Sequence, residues 1–221
     1  MRIVAHIPAR LGSQRVTGKN LKHLNGRPLI SYAIEAAKNA KDITDFFVNT
    51  ESSEIAEVAE KCGAKVYLRK PELALDLVTQ DAINYDFAMS QSCDAFALLN
   101  PVNPLITSDD IDKAVQQFTH EKCDSLISVS QISLHAFAGH KPINFDPHKN
   151  LPRTQDITPI TVCNWAFNIW NRKTFLDHYE KNGHAVFVGK VAHFNLPTIR
   201  AVKISTEEDF NLAEALIKSG S

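Results

Sequence analysis

The residues best suited to chemistry lie in one glycine-containing segment, IPARLGSQRVTGKN, at positions 7–20. It carries three cations, Arg10, Arg15 and Lys19, together with two glycines and one serine. Small residues let backbone N–H groups approach phosphate oxygens, and several fixed cations offset the several negative charges of a polyphosphate. The pattern is not a Walker A loop, because Thr17 stands where that loop requires glycine, and it is not GxGxxG. The segment predicts a phosphate-binding loop, with a solvated basic loop as the alternative.

The segments around this loop alternate between short apolar runs and helix-like periods. Strands are predicted over residues 2–7, 45–49, 65–68, 95–99, 125–130, 164–170, 185–191 and 200–204. Helices are predicted over 28–39, 53–62, 79–91 and 173–180, with Ala82, Ile83, Phe87 and Met89 facing inward in the third, and after Ser108 and Ser205. Pro28 would occupy the first turn of its helix, and Ser205 with Glu208 would form a capping box.

This β–α repetition predicts an α/β fold with a single doubly wound, mostly parallel sheet that helices cover on both faces. One domain is expected over residues 1–221, with an insertion. Ligands of such sheets bind outside the carboxyl ends of the strands. The loops that follow Ile7, Thr50, Leu68 and Leu99 are therefore the expected site. The stretch 135–159 loses all periodicity, as functional or interface loops do.

The composition excludes several classes of protein. The formal net charge is −1, so no global charge favours nucleic acid or a membrane surface. The chain has no apolar run long enough to span a bilayer, and its first ten residues do not form a signal peptide. Its four cysteines are widely spaced, which favours reduced thiols in the cytoplasm.

The loop resembles the signature I/L-P-A-R-x-G-S-K/Q-x-I/L-P-x-K-N of the cytidylyltransferases that activate sialic acid and related nine-carbon acidic sugars. The residues that fit this signature are Pro8, Ala9, Arg10, Gly12, Ser13, Gln14, Lys19 and Asn20. Thr17 differs, since the family usually has proline there. Five later segments resemble the family in the same order: NGRPLISYAIEAA, VNTESSEIAEVAEKCGAKVYLRKPELALD, LLNPVNPLITSDDIDKA, RTQDITPITVCNWAFNIW and ISTEEDFNLAEAL. The resemblance implies the Rossmann-like nucleotidyltransferase fold.

In that family the anomeric hydroxyl of the sugar attacks the α-phosphate of CTP and pyrophosphate leaves, so catalysis is mostly positioning and charge stabilisation. The resemblance implies that Arg10 and Lys19 hold the triphosphate as the catalytic residues. The residues implied in nucleotide binding are Ala9, Arg10, Leu11, Gly12, Ser13, Asn20, Arg69 and Asp76. Asn20 has a second interpretation as a turn residue, and Asp76 has one as a helix N-cap.

The acceptor site is implied to differ from that of the family. The residues implied in substrate binding are Asn100, Asn103, Lys141, Arg153, Gln155 and Asn164. Asn100 replaces a glutamine and Asn103 a serine, Ile106 replaces an arginine, and Trp165 stands where the family has glycine. Lys141 has an alternative as a solvated side chain, and Trp165 has one as a core aromatic residue.

Magnesium is the cofactor that the resemblance implies. The family binds it with a D-x-D pair, but the matching positions hold Lys203 and Ser205. Glu207 and Asp209 are the nearest acids, and both also suit a helix N-terminus. Three explanations stay open: the triphosphate and water carry the metal, Lys203 replaces part of its charge, or transfer is lost and binding kept.

The leading hypothesis is a cytidylyltransferase with CTP and a nonulosonic acid of the sialic, legionaminic or pseudaminic type as its substrates. The alternatives are a nucleotidyltransferase of the same fold that acts on another acidic sugar or a sugar 1-phosphate, and a nucleotide-binding pseudoenzyme. Because the family is commonly dimeric through the insertion after its fifth strand, residues 132–163 are the expected dimerisation element of a homodimer. Nucleic acid and membrane partners are not expected.

Overall fold

The computed structural model of the protein describes residues 1–12 and 16–220, so the predicted contact Ser13 lies outside the described residues. The strands are β1 (Ile3–Pro8), β2 (His23–Leu24), β3 (Arg27–Pro28), β4 (Asp45–Thr50), β5 (Lys65–Leu68), β6 (Ala95–Leu99), β7 (Ser125–Ile132), β8 (Phe137–Ala138), β9 (Lys141–Pro142), β10 (Ile160–Asn171) and β11 (Val191–Asn195). The helices are α1 (Ile30–Asn39), α2 (Ser53–Lys61), α3 (Gln80–Ser90), α4 (Ser108–Glu121), α5 (Arg172–Asn182) and α6 (Glu207–Lys218), with a short 3-10 helix over Pro71–Ala74.

Seven strands form one sheet in the order β11-β7-β10-β6-β1-β4-β5. Strand β10 pairs antiparallel with both β6 and β7, whereas the other pairings are parallel. The predicted mostly parallel α/β sheet is therefore confirmed. None of the helices in the described part of the chain combines the length and hydrophobicity that a membrane crossing requires.

Alternation along β1 sends side chains to both faces of the sheet. Ile3, Ala5 and Ile7 pack with α1, α2 and α4 on one face, and Val4 packs with α3 and α5 on the other. A strand that is buried on both faces has a continuous apolar sequence, and for this reason the sequence predicts the strands at residues 3–7 and 95–99. The exception is His6, which is fully buried among the aromatic residues of the second face.

Four predictions about helices are wrong in detail. Pro28 lies in β3 rather than in the first turn of a helix, because the hairpin β2–β3 precedes α1. Thr107, not Ser108, caps α4, and Thr206, not Ser205, caps α6. Each threonine has extended backbone and a side chain that accepts from the N–H three residues on, paired reciprocally with an aspartate. Met89 is 51% exposed, because α3 turns Asn84 and Ala88 inward instead.

The last strands also differ from the prediction. The strand predicted over 185–191 forms later in the chain. It is β11, which begins at Val191, after Gly189 with its φ of +62°. A Cβ at Gly189 would lie 2.2 Å from Asp124 Oδ2, so the chain needs glycine to pass that carboxylate. Residues 200–201 lie in a turn and residues 202–204 are irregular, so the strand predicted over 200–204 does not form.

The insertion extends from the middle of the sheet. Strands β7 and β10 continue as a pair to Ile132 and Ile160, and the small hairpin β8–β9 lies between them. The register of β10 shifts between Cys163 and Asn168, and Trp165 at this bulge has a φ of +60°. Bulges of this kind redirect a side chain, and here the redirected group is an indole.

Candidate functional site

Two adjoining cavities open where β1 ends. The first, called here the basic compartment, has a volume of about 240 Å³ and is lined by Pro8, Arg10, Arg69, Leu73, Ala74, Leu75, Asp76, Val78, Gln80 and Ile83. The second, the amide compartment, has a volume of about 320 Å³ and is lined by Pro8, Gln80, Asn84, Leu98, Asn100, Trp165, Asn168, Trp170, Val186 and Lys203. Pro8 and Gln80 line both, so a ligand in one compartment can reach a ligand in the other.

Arg10 is held at the mouth of the basic compartment. Its guanidinium donates to the Ala74 carbonyl oxygen at 3.1 Å and to Asp76 Oδ1 at 2.7 Å. Asp76 therefore orients Arg10 and is not a helix N-cap, since Thr79 caps α3. Both charged groups stay partly exposed, which leaves the cation able to meet an anion.

Arg69 is buried beneath the same compartment, with only 4% of its surface exposed. It donates to the carbonyl oxygens of Asn49 and Ala9 at 3.3 Å and to Glu51 Oε2 at 2.7 Å. Burial lowers the pKa of Arg69, and the Glu51 carboxylate opposes this effect. The other oxygen of Glu51 accepts from the Leu11 N–H at 3.2 Å. Arg69 and Glu51 thus fix the start of the phosphate loop to the end of β4.

The far end of the loop is fixed by two predicted residues. Lys19 Nζ donates to the Ile204 carbonyl oxygen at 2.9 Å. Asn20 is buried and its amide donates to the Arg10 carbonyl oxygen at 3.0 Å, which ties the two ends of the loop together. Gly12 is exposed, and a Cβ there would meet nothing within 4 Å.

Asn164 supports the bulge that carries Trp165. Its Oδ1 accepts from the Ser128 hydroxyl at 2.6 Å and from the Ala166 N–H at 3.2 Å, and its Nδ2 donates to the Ser130 hydroxyl at 3.0 Å. These bonds hold the left-handed backbone of Trp165 and direct its indole to the amide compartment. Trp165 also contacts the Phe187 ring, with centroids 5.9 Å apart.

The remaining wall of the amide compartment comes from β6 and the segment before α6. Asn100 is half-buried and lines the cavity. Asn103 is fully buried, and its amide donates to the Ala201 and Val202 carbonyl oxygens, both at 3.2 Å. Asn103 therefore positions the segment from which Lys203 enters the compartment. Lys203 is exposed and forms no ion pair with any residue of the described chain.

Three predicted acceptor residues lie on the insertion. Lys141 is exposed on β9, and Arg153 donates to Asp156 Oδ2 at 2.6 Å while 72% of its side chain stays exposed. Gln155 is exposed as well. None of the three lines either compartment. Their role as substrate contacts stays a prediction.

The two candidate metal ligands are already engaged. Glu207 pairs with Lys22. Asp209 accepts the backbone N–H groups of Ser205 and Thr206, each at 2.8 Å, and these bonds lower the pKa of its carboxyl group. Within residues 1–12 and 16–220, no group of three His, Cys, Asp or Glu side chains could hold a metal. The described residues thus do not fit a protein-bound Mg²⁺ site of the usual carboxylate kind.

Sequence reasoning missed Gln80, Asn84 and Glu51. Gln80 directly follows the N-cap of α3, and Asn84 is the polar residue one turn later on the face that also buries Phe87. That interruption of an apolar face was the available signal for Asn84. Glu51 has no local signal, because its partner Arg69 is brought to it by the pairing of β4 and β5.

The model of the family described as cytidylyltransferase matches residues 4–159. The chain belongs to the cytidylyltransferase family. The matched residues contain the phosphate loop, Arg69, Asp76 and Asn100, so most of the site lies in the part of the chain that defines membership.

Relatives extend the match over nearly the whole chain. The N-acylneuraminate cytidylyltransferase of Streptococcus agalactiae serotype V is 29% identical over 220 residues, which are 95% of this chain and 52% of that protein. The pseudaminic acid cytidylyltransferase of Campylobacter jejuni is 28% identical over 99% of this chain and 97% of that protein. The CMP-N,N'-diacetyllegionaminic acid synthase of Legionella pneumophila is 40% identical over 61% of this chain and 60% of that protein. The chain spans about half the length of several relatives that it matches.

Solved structures share the fold. A CMP:2-keto-3-deoxy-manno-octonic acid synthetase in complex with CTP superposes with a TM-score of 0.76 over 100% of both chains, at 14% identity. The 4-diphosphocytidyl-2C-methyl-D-erythritol synthase of Anaerococcus prevotii superposes with a TM-score of 0.68 over 98% of both chains, also at 14% identity. This member of the cytidylyltransferase family therefore has a nucleotidyltransferase fold of the Rossmann-like kind.

Proposed function

We propose that the protein transfers CMP from CTP to a nonulosonic acid and releases pyrophosphate. The observation that carries the proposal is the pair of compartments that share Pro8 and Gln80. The basic compartment offers Arg10 and the start of the phosphate loop, which suit a nucleoside triphosphate. The amide compartment offers hydrogen-bonding amides, indoles and the cation Lys203, which suit an acidic sugar. The names of the relatives, which include sialic, legionaminic and pseudaminic types, support this acceptor class.

The reaction needs the acceptor hydroxyl oxygen to approach the α-phosphorus of CTP. The new P–O bond forms as the bond to the bridging oxygen of pyrophosphate breaks, and the hydroxyl proton passes to solvent. Arg10 and Lys19 offset the negative charge that moves onto pyrophosphate, and Asp76 keeps Arg10 oriented. Asn100 holds the acceptor in the amide compartment, and Gln80, which lines both compartments, contacts it where the two substrates meet.

Magnesium remains a proposed cofactor, carried to the site by the triphosphate and water. We propose that the triphosphate carries the metal because the described carboxylates fit a protein-bound metal site poorly. Lys203 supplies a fixed positive charge in the amide compartment, which reduces the charge that a metal must offset. Nucleotide binding without transfer is the second candidate function, and the same missing carboxylates motivate it.

We also propose a cytoplasmic homodimer that pairs through the insertion. Large apolar side chains are exposed there: Leu134, Phe137, Ile143, Leu151 and Val162. Exposed apolar patches of this kind mark interaction sites.

Sedimentation velocity at micromolar concentration should give twice the chain mass, and Phe137→Glu with Leu151→Glu should give the monomer. A monomeric wild type would contradict the proposal.

Pyrophosphate release tests the main proposal. CTP, UTP, GTP and ATP are each paired with sialic, legionaminic and pseudaminic acids and with sugar 1-phosphates, in Mg²⁺ and in EDTA. Release with CTP and a nonulosonic acid supports the proposal and names the acceptor. Release with a sugar 1-phosphate alone supports the alternative enzyme. A melting temperature raised by CTP, without release from any pair, supports the binding protein.

A further inference from the structure

The segment between β5 and α3, called here the strap, covers residues 71–78 and forms one wall of the basic compartment. The strap residues that line this cavity are Leu73, Ala74, Leu75, Asp76 and Val78. Both ends of the strap are fixed. The N–H of Arg69, just before it, donates to the Thr50 carbonyl oxygen at 3.0 Å, and Thr79, just after it, caps α3. The middle of the strap therefore spans the compartment between two fixed ends.

Leu77 is the strap residue that faces solvent most fully. It is 96% exposed, although its neighbours on both sides line the cavity. Leu77 and Asp76 are the two central residues of a tight turn, which the Val78 N–H closes onto the Leu75 carbonyl oxygen at 3.1 Å. A leucine that is this exposed adds almost no apolar burial to the free protein. Because the turn is short, any shift of Asp76 carries Leu77 with it.

Arg10 joins the strap to the triphosphate site. Its Nη1 atom carries two hydrogens, and it donates to the Ala74 carbonyl oxygen at 3.1 Å and to Asp76 Oδ1 at 2.7 Å. In the described chain this leaves the N–H groups of Nη2 and Nε, which lie side by side and fit two oxygens of one phosphate group. Arg10 can therefore hold a phosphate and the strap at once. A guanidinium that moves toward a phosphate pulls the strap in the same direction.

We propose that a bound triphosphate draws the strap inward through Arg10, and that Leu77 then covers the nucleotide. This closure rests on the proposed function and adds to it a nucleotide-positioning residue, Leu77, which the free protein leaves in solvent. The closed strap excludes water from the basic compartment, and the lower dielectric strengthens the attraction between Arg10 and the phosphates. The trigger of the closure is the triphosphate and not the base, because Arg10 is the group that connects the ligand to the strap.

Leu77→Ser tests the closure without disturbing the free protein. Because the side chain is 96% exposed, the melting temperature of the ligand-free variant should equal that of the wild type. The KM for CTP should rise by roughly 10-fold, since the variant loses the burial of a leucine in the closed form. CTP should also raise the melting temperature less than it does in the wild type. The matched control is Leu212→Ser, at a leucine of α6 that is 51% exposed and lines neither compartment.

Hydrogen–deuterium exchange of the full chain identifies the trigger. Tripolyphosphate and CTP should each slow amide exchange in residues 71–79, whereas cytidine alone should not. Asp76→Asn should reduce the protection that tripolyphosphate gives, because the variant weakens the bond between the strap and Arg10. Glu72→Gln, which neutralises an exposed carboxylate of the same strap, is the matched control and should keep that protection.

The outcomes separate the closure from the proposed function. An unchanged KM for CTP in Leu77→Ser, together with exchange that neither tripolyphosphate nor CTP slows, would overturn the closure, and pyrophosphate release by the wild type would still support the proposed function. Slower exchange with cytidine alone would contradict the role of Arg10 as the trigger. Slower exchange with tripolyphosphate, without pyrophosphate release from any substrate pair, would support the closure and contradict the proposed transfer.

Discussion

The ammonium group of Lys19 donates to the carbonyl oxygen of Ile204, 2.9 Å away, across 185 positions of sequence. This bond joins the end of the phosphate loop to the segment that carries Lys203. Asn103 holds the same segment from the other side, through the carbonyl oxygens of Ala201 and Val202. Lys19 and the segment that carries Lys203 into the amide compartment are therefore held together, although the two lysines are far apart in sequence.

Lys19→Ala should affect activity and stability at once. It removes a charge from the triphosphate site, so kcat/KM for CTP should fall by about 100-fold or more. It also removes the bond to Ile204, so the melting temperature should fall by a few degrees. Steady-state kinetics and thermal unfolding measure the two effects. A lower melting temperature with an unchanged kcat/KM would show that Lys19 has only a structural role. The control is Lys22→Ala, which removes a neighbouring cation.

Trp165→Gly should widen acceptor use at a cost in stability. Glycine relieves the left-handed backbone, worth roughly 1–2 kcal/mol, but it removes an indole that packs on the core, a loss of about 3–5 kcal/mol. The free energy of unfolding should therefore fall by about 1–4 kcal/mol. The KM for the preferred acceptor should rise and bulkier acceptors should be turned over. An unchanged acceptor range would show that the indole does not bound the compartment.

Lys203→Ala should make the reaction depend more strongly on added metal. The variant loses a fixed charge in the amide compartment, so more Mg²⁺ should be required for half-maximal pyrophosphate release. Titration calorimetry of CTP in EDTA gives a second measurement, in which the variant should bind more weakly than the wild type. The control is Lys190→Ala. Lys190 donates to the Glu121 carbonyl oxygen and lines neither compartment. Identical Mg²⁺ titrations of the variant and the wild type would show that Lys203 does not offset the charge of the triphosphate.

His6 should make the fold sensitive to mild acid. Its pKa is about 3 in the native state, below the ordinary 6.5, so below pH 6.5 the unfolded chain binds a proton that the native state does not. The free energy of unfolding that neutral His6 contributes is fully present above pH 6.5, and it is lost as the pH falls toward 3. Between pH 7 and pH 5 the loss is about 2 kcal/mol. Guanidinium chloride unfolding at both pH values should show this loss in the wild type and a smaller one in His6→Leu.

Glu51→Ala should destabilise the loop from beneath. It leaves the buried Arg69 guanidinium without its carboxylate partner, and such a loss costs about 2 kcal/mol where the acid is partly exposed. Loss of the Leu11 N–H contact should also raise the KM for CTP. Glu54→Ala, on the exposed first turn of α2, is the matched control for both measurements. Equal unfolding free energies for the two variants would contradict the proposed role of the pair.

The sequence alone determined the sheet and the family. Continuous apolar runs such as residues 95–99 are typical of strands buried on both faces, and period and caps located α2 and α3 within a residue or two. These features are local, because propensity, alternation and capping act within a few residues. The cap of α4 was placed one residue late and that of α6 one residue early, since serine and threonine neighbours both suit an N-cap and only backbone geometry chooses between them.

Only the tertiary structure decided which side chains share the site. Lys203 and Asn100 line one cavity, and Glu51 pairs with Arg69, because the assembled sheet brings distant segments to one edge. Asn164 and Asn103, predicted as ligand contacts, are committed to backbone and hydroxyl partners that no spacing could reveal. Hydrogen bonds between residues far apart in sequence depend on packing, and packing is fixed only when the whole sheet has assembled.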